Sequence, residues 1–260
     1  MDNFIEITSK HNPLIKLVGS LQTSSKSRKE KGLFVLEGIR ICKDAYENSI
    51  RFDKLIVTKN SLQRYEDDIK NLQSISEKSY IVSDNLFKKI SDTDNPQGVL
   101  AVVQIPKLNC EISKKGRYIA LENIADPSNL GAISRTAEAL GVSGIILTSN
   151  GCDPYSPKSL RSSMGTLLRM PLYLVDDINE FISLYNLRSF ACVVDKKAKS
   201  ISEVNFADGD VLLIGNEANG LTDRTKSHAY ECITIPMEGN AESLNAASAA
   251  AISMWEMMKV

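Results

Sequence analysis

Apolar and polar residues alternate in blocks along the whole chain, and the blocks have the lengths of strands and helices. In the first hundred or so residues, short apolar runs are separated by amphipathic stretches, which predicts a small α/β domain. The predicted strands are LFVLEG, KLIVT, SYIVSD and GVLAVVQI. The predicted helices are IRICKDAYEN, LQRYEDDIKNL and NLFKKIS.

A second set of short apolar runs follows, again with helical stretches between them: YIALEN, GIILTS, PLYLVD, FACVVD, VLLIGN and ECITIP. Near-continuous apolar strands separated by helices indicate a parallel sheet covered on both faces. The polar segment PKLNCEISKKG between the two sets has the composition of a linker. The sequence therefore predicts domains at residues 1–106 and 117–260, with a linker at 107–116.

Ligands of parallel α/β sheets bind beyond the carboxyl ends of the strands, and two of these ends carry unusual polar residues. Strand VLLI ends at Gly215, and Glu217 follows two residues later. Strand ITIP runs into a loop and then a helix that we expect to open near Ser243, with Asn245 close behind. Each feature alone also fits an ordinary turn or an ordinary packed helix.

The segment DPSNLGAISRTAEALG has the signals of one complete helix. Asp126 is a good N-cap and Pro127 suits the first helical position, while Gly141 suits the C-terminal cap. Asn129 and Arg135 lie off the apolar stripe of this helix. An arginine in that position is, by itself, more typical of a solvated helix surface.

Composition excludes several classes of protein. Of the 260 residues, 43% are apolar and 24% charged, as in ordinary globular proteins, and no apolar run is long enough to cross a bilayer. The N-terminal residues lack the pattern of a secretory signal. The five cysteines are scattered and only two histidines are present, so we expect a cytoplasmic protein without a metal site.

Positive charge is concentrated near the N-terminus although the net charge is −1. Between Lys10 and Lys31 there are six lysines or arginines and a single acid, Glu30. Such a run is typical of a solvated surface, and it is also typical of a surface that binds a phosphate backbone. Charge alone does not decide between the two interpretations.

Three segments together resemble the signature motifs of a known family. They are DPSNLGAISRTAEALGVSGIIL, LLIGNEANGLTD and IPMEGNAESLNAASAAAI, and they look like the motifs of the SpoU branch of the SPOUT RNA methyltransferases in order, wording and spacing. The segment SPKSLRSSMGTLLRMPL is also similar to that family. KHNPLIKLVGSL, GLFVLEGIRICKDA and NPQGVLAVV resemble its substrate-binding domain, so the likeness covers nearly the full length.

The resemblance implies S-adenosylmethionine-dependent methylation of a ribose 2′-hydroxyl in structured RNA. It implies that residues 1–106 form a ribosomal-protein-like substrate-binding domain and residues 117–260 an α/β-knot domain with a trefoil knot, which no periodicity argument predicts. It also implies a homodimer, with the C-terminal helix at the interface and Arg161 or Arg169 reaching the partner's site.

The same resemblance implies roles for individual residues of the cofactor pocket. Gly215, Ile235 and Leu244 match the family's cofactor positions, and Thr148 at the end of GIILT is expected to line the same pocket. A glycine at position 215 is expected to let the backbone reach the ligand. The two apolar side chains are expected to sandwich the adenine.

Arg135 matches the arginine to which the family assigns activation of the ribose hydroxyl. Because the pKa of a guanidinium is above about 12, we expect a charged Arg135 to hold the neighbouring phosphate and to lower the pKa of the hydroxyl. The phosphate or a water then takes the proton. Glu217 is expected to fix Arg135 by a two-point contact, and Asn129, Ser243 and Asn245 to position the ribose and order the loops.

With this resemblance, the basic stretch is interpreted as an RNA-binding surface. Its expected phosphate contacts are Lys10, Lys16, Lys26, Arg28, Lys29 and Arg40. Ribosomal RNA is the first choice of substrate and transfer RNA the second. The alternative is a non-catalytic RNA-binding protein of the same fold; an unrelated nucleotide-binding enzyme is disfavoured, because no glycine-rich phosphate-binding motif follows any strand.

Overall fold

The computed structural model describes residues 4–106 and 112–259. They form two compact units: the first contains residues 4–106 together with Tyr155–Arg161, and the second contains residues 112–154 and 162–259. Residues 107–111 of the predicted linker lie outside the described residues, and residues 112–116 belong to the second unit.

The first unit is built on a five-stranded mixed sheet. Its elements are β1 (Phe4–Ile7), α1 (Pro13–Thr23), α2 (Ser25–Lys31), β2 (Leu33–Glu37), α3 (Ile39–Glu47), β3 (Phe52–Thr58), α4 (Lys59–Arg64), α5 (Glu66–Ser74), β4 (Ser76–Val82), α6 (Asp84–Lys88) and β5 (Val99–Gln104). The strand order is β1-β4-β3-β5-β2, with β5 antiparallel to both of its neighbours. The single helix predicted over LQRYEDDIKNL is two helices in the structure, because the helical conformation is interrupted at Tyr65.

The core of the first unit lies where α1 covers the sheet. Val18 and Leu21 on α1 are fully buried together with Ile56 and Leu100 from the strands. Asn12 caps α1 by accepting from the Leu14 amide at 2.8 Å, and Pro13 occupies the first turn, as favoured at helix starts.

The second unit is built on a seven-stranded parallel sheet. Its elements are β6 (Tyr118–Leu121), α7 (Pro127–Leu140), β7 (Gly144–Thr148), the end of α8 (Pro157–Ser163), α9 (Thr166–Arg169), β8 (Leu172–Val175), α10 (Ile178–Tyr185), β9 (Arg188–Cys192), β10 (Lys199–Ser200), β11 (Asp210–Ile214), α11 (Asp223–His228), β12 (Glu231–Thr234) and α12 (Ala246–Met258). The strand order is β10-β12-β9-β11-β6-β7-β8, and every pairing is parallel. The prediction of an α/β protein with a parallel sheet is confirmed, while the knot stays a prediction.

Local signals predicted the bounds of α7 but not those of α12. Asp126 accepts from the Ser128 amide at 2.9 Å, Pro127 is the first helical residue, and Gly141 ends α7 in the left-handed region with φ 76°. The expectation that the last helix opens near Ser243 is wrong by three residues. Asn245 is its N-cap, accepting from the amides of Ala247 and Ser248, because an asparagine side chain satisfies free amides at a helix start.

No helix among the described residues has both the length and the apolar character that a bilayer span requires.

Two arginines that the resemblance assigned to a partner's site are paired within their own chain. Arg161 donates from Nη1 to Asp92 Oδ2 at 2.6 Å. Arg169 makes a two-point contact with Glu138, and both of its distances are 2.7 Å. The Arg169 guanidinium holds the pKa of Glu138 below its usual value. Each arginine would have to give up a charge-assisted pair to reach another protomer, so neither is assigned that role.

Arg28 is a structural residue and not part of an RNA-binding surface. Only 4% of it is exposed, and its Nη1 donates to the carbonyls of Leu21 and Gln22 at the end of α1. Helix ends leave carbonyl groups without helical partners, and Arg28 fills that need. The sequence prediction is corrected here: the guanidinium binds backbone carbonyls inside the first unit and is not available to a phosphate.

We expect Arg28→Ala to lower the free energy of unfolding by about 2 kcal/mol, because the carbonyl oxygens at the end of α1 lose their donor. The exposed neighbour Lys29 is the matched control, and Lys29→Ala should change the same quantity by less than about 0.5 kcal/mol. Urea unfolding followed by circular dichroism measures both. Wild-type stability in Arg28→Ala would contradict the structural role.

Candidate active site

A pocket of 590 Å³ opens at the carboxyl edge of the second sheet. Its wall comes from the segments that follow β9 and β11 and from the segment before α12, and it includes Val193, Val194, Asp195, Gly215, Glu217, Lys226, Glu242, Ser243 and Leu244. Since β11 lies between β9 and β6, the ends of central strands converge there. This is the position where ligands of parallel α/β sheets bind.

The loop after β11 folds back on itself in a tight turn. Asn216 and Gly220 exchange two backbone hydrogen bonds of 3.1 and 2.8 Å. A side chain at position 215 would place its Cβ 2.1 Å from the carbonyl carbon of Gly220. Gly215 lines the pocket as predicted. The expected reason for the glycine was access of the ligand to the backbone. The structure gives a different reason, which is the close approach of the loop's own backbone at Gly220.

Glu217 holds the start of α7. Its Oε2 accepts from the Ala125 amide at 3.0 Å, and its Oε1 accepts from the Asp126 amide at 3.2 Å and from Asn129 Nδ2 at 2.8 Å. Partial burial raises the pKa of Glu217, but the hydrogen bonds from Asn129 and from the two amides outweigh it and hold the pKa below its usual value. The carboxylate is therefore ionised near neutral pH.

The predicted two-point contact between Glu217 and Arg135 is wrong. Both oxygens of the carboxylate are occupied by donors at the start of α7. Amides at a helix N-terminus attract a carboxylate through their free N–H groups and the helix dipole. Glu217 therefore binds the beginning of the helix that carries Arg135 and makes no described contact with the arginine itself.

Asn129 connects this carboxylate to the last helix. While its Nδ2 donates to Glu217, its Oδ1 accepts from Asn245 Nδ2 at 3.1 Å. Asn245 in turn caps α12. Asn129 is 8% exposed, so its hydrogen bonds are not easily replaced by water. Three of the five predicted catalytic residues, Asn129, Glu217 and Asn245, thus form one hydrogen-bonded network, here called the Glu217 network.

Arg135 lies on α7 outside this network. It follows Asn129 by six residues, which places the two side chains roughly 120° apart around the helix. Its side chain is exposed, and within residues 4–106 and 112–259 it has no ion pair or hydrogen bond through its guanidinium. A guanidinium in this condition is free to bind an incoming anion.

Of the other predicted site residues, Ser243 and Leu244 lie in the pocket wall. The structure does not bring Thr148 or Ile235 into that wall. Thr148 is 6% exposed, and its Oγ1 accepts from the Asn123 amide at 2.8 Å. It supports the loop after β6, and this contact explains a threonine at the strand end.

Sequence reasoning missed a second carboxylate at the same edge. Glu122 is 7% exposed. It accepts from the amide and hydroxyl of Thr222 at 2.8 and 2.9 Å and from the Thr225 hydroxyl at 2.6 Å. It therefore fixes the start of α11. The available signal was an acid directly after the apolar run YIAL, together with the Thr222 cap of the next helix.

Two other kinds of chemistry, attack by a cysteine thiolate and catalysis by a metal ion, find few suitable side chains among the described residues. Burial raises the pKa of the Cys192 thiol in the pocket wall to about 11, so it is protonated near neutral pH and is a poor nucleophile. Among the described residues, His, Cys, Asp and Glu side chains do not gather in groups of three or more that would suit a metal ion.

Comparison with known proteins gives family matches in both parts of the chain. The SpoU rRNA Methylase family model matches residues 116–255. The MRM3-like substrate binding domain model matches residues 12–101.

Relatives match over nearly the whole chain. An uncharacterised tRNA/rRNA methyltransferase of Synechocystis is 31% identical, covering 96% of this chain and 92% of the relative. The Bacillus subtilis 23S rRNA (guanosine(2553)-2′-O)-methyltransferase RlmP is 26% identical, with coverages of 97% and 98%. A crystal structure of an AdoMet-bound rRNA methyltransferase from Sinorhizobium meliloti has a TM-score of 0.86 at 28% identity, with coverages of 98% and 97%.

One family model thus covers more than half of the chain, and it includes the three segments that carry the pocket and the Glu217 network. The chain belongs to the SpoU rRNA Methylase family.

Proposed function

We propose that this protein transfers the methyl group of S-adenosylmethionine to a ribose 2′-hydroxyl of ribosomal RNA. The observation that carries the proposal is the pocket at the carboxyl edge of the second sheet, joined to α7 and α12 by the Glu217 network. The Bacillus subtilis relative is named for this reaction on 23S rRNA, and the Sinorhizobium meliloti neighbour is an rRNA methyltransferase with AdoMet bound. A cytoplasmic location is part of the proposal.

The pocket suits S-adenosylmethionine in size and chemistry. Its volume of 590 Å³ lies within the range of small-molecule sites. Apolar side chains such as Leu244 and Val193 can face a base, while Asp195 and the polar loop after Gly215 can face a ribose and a charged amino-acid tail. When bound, this cofactor supplies a methyl group already activated on a sulfonium. The chain's own residues then have to orient the hydroxyl and manage its proton.

The Glu217 network orders the pocket and does not transfer the proton. Glu217 is ionised, its pKa is held below the usual value, and both its oxygens are occupied. A carboxylate with a lowered pKa is a weak base. Asn129 uses its amide on both sides. These residues hold the loops that shape the pocket, and Ser243 in the pocket wall remains available to a ribose hydroxyl.

Arg135 is proposed to act on the RNA directly. Its exposed guanidinium on α7 can bind the phosphate next to the target ribose through two parallel hydrogen bonds. The positive charge favours the ionised form of the 2′-hydroxyl, so it lowers the barrier to attack on the methyl group. Because the arginine stays protonated, the phosphate or a water accepts the proton.

In this proposal, residues 1–106 bind the RNA and residues 117–260 transfer the methyl group. Lys10, Lys16, Lys26, Lys29 and Arg40 are all exposed and can neutralise phosphates without losing a buried contact. Arg28 drops out of the predicted set because it is buried.

A homodimer is also part of the proposal. On α12, Trp255 is 59% exposed and Ile252 42%, and large apolar side chains on one helix are typical anchors of a subunit interface. Light scattering should give about twice the 28.7 kDa chain mass, and Trp255→Glu should shift the protein toward the single-chain mass. A wild-type monomer at micromolar concentration would contradict the dimer.

The central test of the function maps 2′-O-methyl groups on all RNA from cells with and without this gene. We expect one ribosomal position to lose its methyl group, and the wild-type gene to restore it. Loss confined to transfer RNA would redirect the substrate assignment. An unchanged pattern in every RNA would refute the enzyme.

The mapped RNA segment then serves as substrate for single-turnover methylation by Arg135 variants. Arg135→Ala should reduce the rate roughly a hundredfold, the scale for removing one preorganised electrostatic contact, with S-adenosylmethionine affinity unchanged. Arg135→Lys keeps the charge but lacks the planar fork, so it should recover little of the rate. Full activity in Arg135→Ala would remove the arginine from the mechanism.

A further inference from the structure

The first unit has a pocket of its own. It measures 390 Å³ and lies where β3 ends and β5 begins. Its wall includes Thr58, Asn60, Arg64, Asp84, Lys88 and Gln97. The lysines of α2 lie at the other end of this sheet, because α2 is followed by the start of β2, which pairs with the end of β5.

The floor of the pocket is held together by hydrogen bonds to the Gly98 carbonyl. The Thr58 amide and the Ser61 hydroxyl both donate to the Gly98 carbonyl, at 3.0 and 2.7 Å. Gly98 has φ +76°, and a Cβ there would lie 2.6 Å from Thr58 Oγ1. Only a glycine fits this backbone geometry without strain. A site with such a floor is formed before any ligand arrives.

The amide of Gln97 has a fixed orientation. The Ile39 backbone N–H donates to Gln97 Oε1 at 3.0 Å, so that oxygen must be the acceptor. The Nε2 group is then left as a donor, and it has no partner among the residues that the structure describes. A donor held in place at the wall of a pocket can recognise a carbonyl oxygen or a ring nitrogen of a ligand.

Acceptors stand in the same wall. Asn60 Nδ2 donates to Asp84 Oδ2 at 2.7 Å, which leaves Asn60 Oδ1 and Asp84 Oδ1 as acceptors. The pocket therefore presents both hydrogen-bond donors and acceptors. A site for phosphate alone would gain nothing from the Asp84 carboxylate, whereas the exocyclic amino group of a base would.

Two cations complete the site. Arg64 and Lys88 are exposed, and within the described parts of the chain neither has an ion pair. The Arg64 guanidinium lies over the Tyr65 ring, 5.2 Å from its centroid, which holds its planar face in place. A guanidinium and an ammonium that have no ion pair in the protein can both bind the phosphate that adjoins a bound base.

We propose that this pocket binds one unstacked nucleotide of the RNA, with the base among Gln97, Asn60 and Asp84 and the adjoining phosphate on Arg64 and Lys88. The inference rests on the proposed function, since it assumes that the first unit receives RNA. It adds a base-reading element to a surface otherwise described only by charge. The pocket then selects an exposed loop or bulge over a continuous duplex, whose bases are paired and stacked.

Fluorescence anisotropy with the full-length protein tests the proposal. The probes are labelled single-stranded RNAs of about eight nucleotides, one for each base, and an abasic ribose-phosphate oligomer of equal length. Wild type should bind at least one base-containing oligomer roughly fivefold or more tightly than the abasic one. Equal affinity for all the probes would overturn the proposal. Free nucleoside monophosphates as competitors show whether the base must be part of an RNA strand: the proposal expects them to compete poorly, and competition as strong as the oligomer's would assign the pocket to a free nucleotide.

Two pairs of variants locate the effect. Arg64→Ala with Lys88→Ala should weaken binding of every probe, while the matched pair Arg51→Ala with Lys78→Ala should change affinity by less than about twofold. Arg51 and Lys78 are exposed and lie near the starts of β3 and β4. Equal losses in the two pairs would mean general electrostatics and would overturn the proposal.

Gln97→Glu keeps the acceptor for Ile39 but replaces the free donor with an anion, and Asn95→Asp adds the same charge on the same loop. Only Gln97→Glu should abolish the preference for base-containing RNA. The same preference in both variants would refute base reading. Thermal melting and S-adenosylmethionine affinity confirm that each variant is folded. Methylation of ribosomal RNA by the wild-type protein tests the proposed function separately. Methylation without a base preference would refute only the pocket, and a base preference without methylation would refute only the proposed function.

Discussion

The carboxylate of Glu217 is the interaction on which the second unit's site depends. Glu217 lies in the turn after β11, where only glycine fits at position 215. It satisfies two amides before α7 and the side chain of Asn129. Through Asn129 it reaches Asn245, the cap of α12. Three segments far apart in sequence are thereby held at one edge of the sheet, and a pocket forms among them.

This arrangement divides the polar residues of the motifs into two groups. Glu217, Asn129 and Asn245 bind one another and the ends of helices, so their role is to hold the loops in place. Arg135 and Ser243 keep exposed polar groups and can act on a substrate. Preorganised polar groups are effective in catalysis because they need no rearrangement when charge develops. In the function that we propose, support by the first group keeps the second group in place for the substrate.

Sequence predicted the family, the parallel sheet and the caps of α7, and these predictions are confirmed. Caps depend on residues within a few positions of one another, as with Asp126 and Ser128, and the motifs depend on order along the chain. The fate of Arg28 was beyond such reasoning. A basic run reveals charge, but only the packing of α2 on the end of α1 turns that guanidinium inward. The prediction for the contact of Glu217 was wrong for the same reason, because its partners lie about 90 residues away in the sequence.

The most direct test of this account is the S-adenosylmethionine affinity of Glu217→Gln, measured by calorimetry. The amide has the shape of the carboxylate but cannot accept from three donors with the strength of a charged group. Glu180→Gln, which neutralises an exposed acid on α10, is the matched control for charge. We predict that Glu217→Gln binds the cofactor roughly tenfold or more weakly, with Glu180→Gln close to wild type. Wild-type affinity in a folded Glu217→Gln protein would contradict the claim that this carboxylate organises the site.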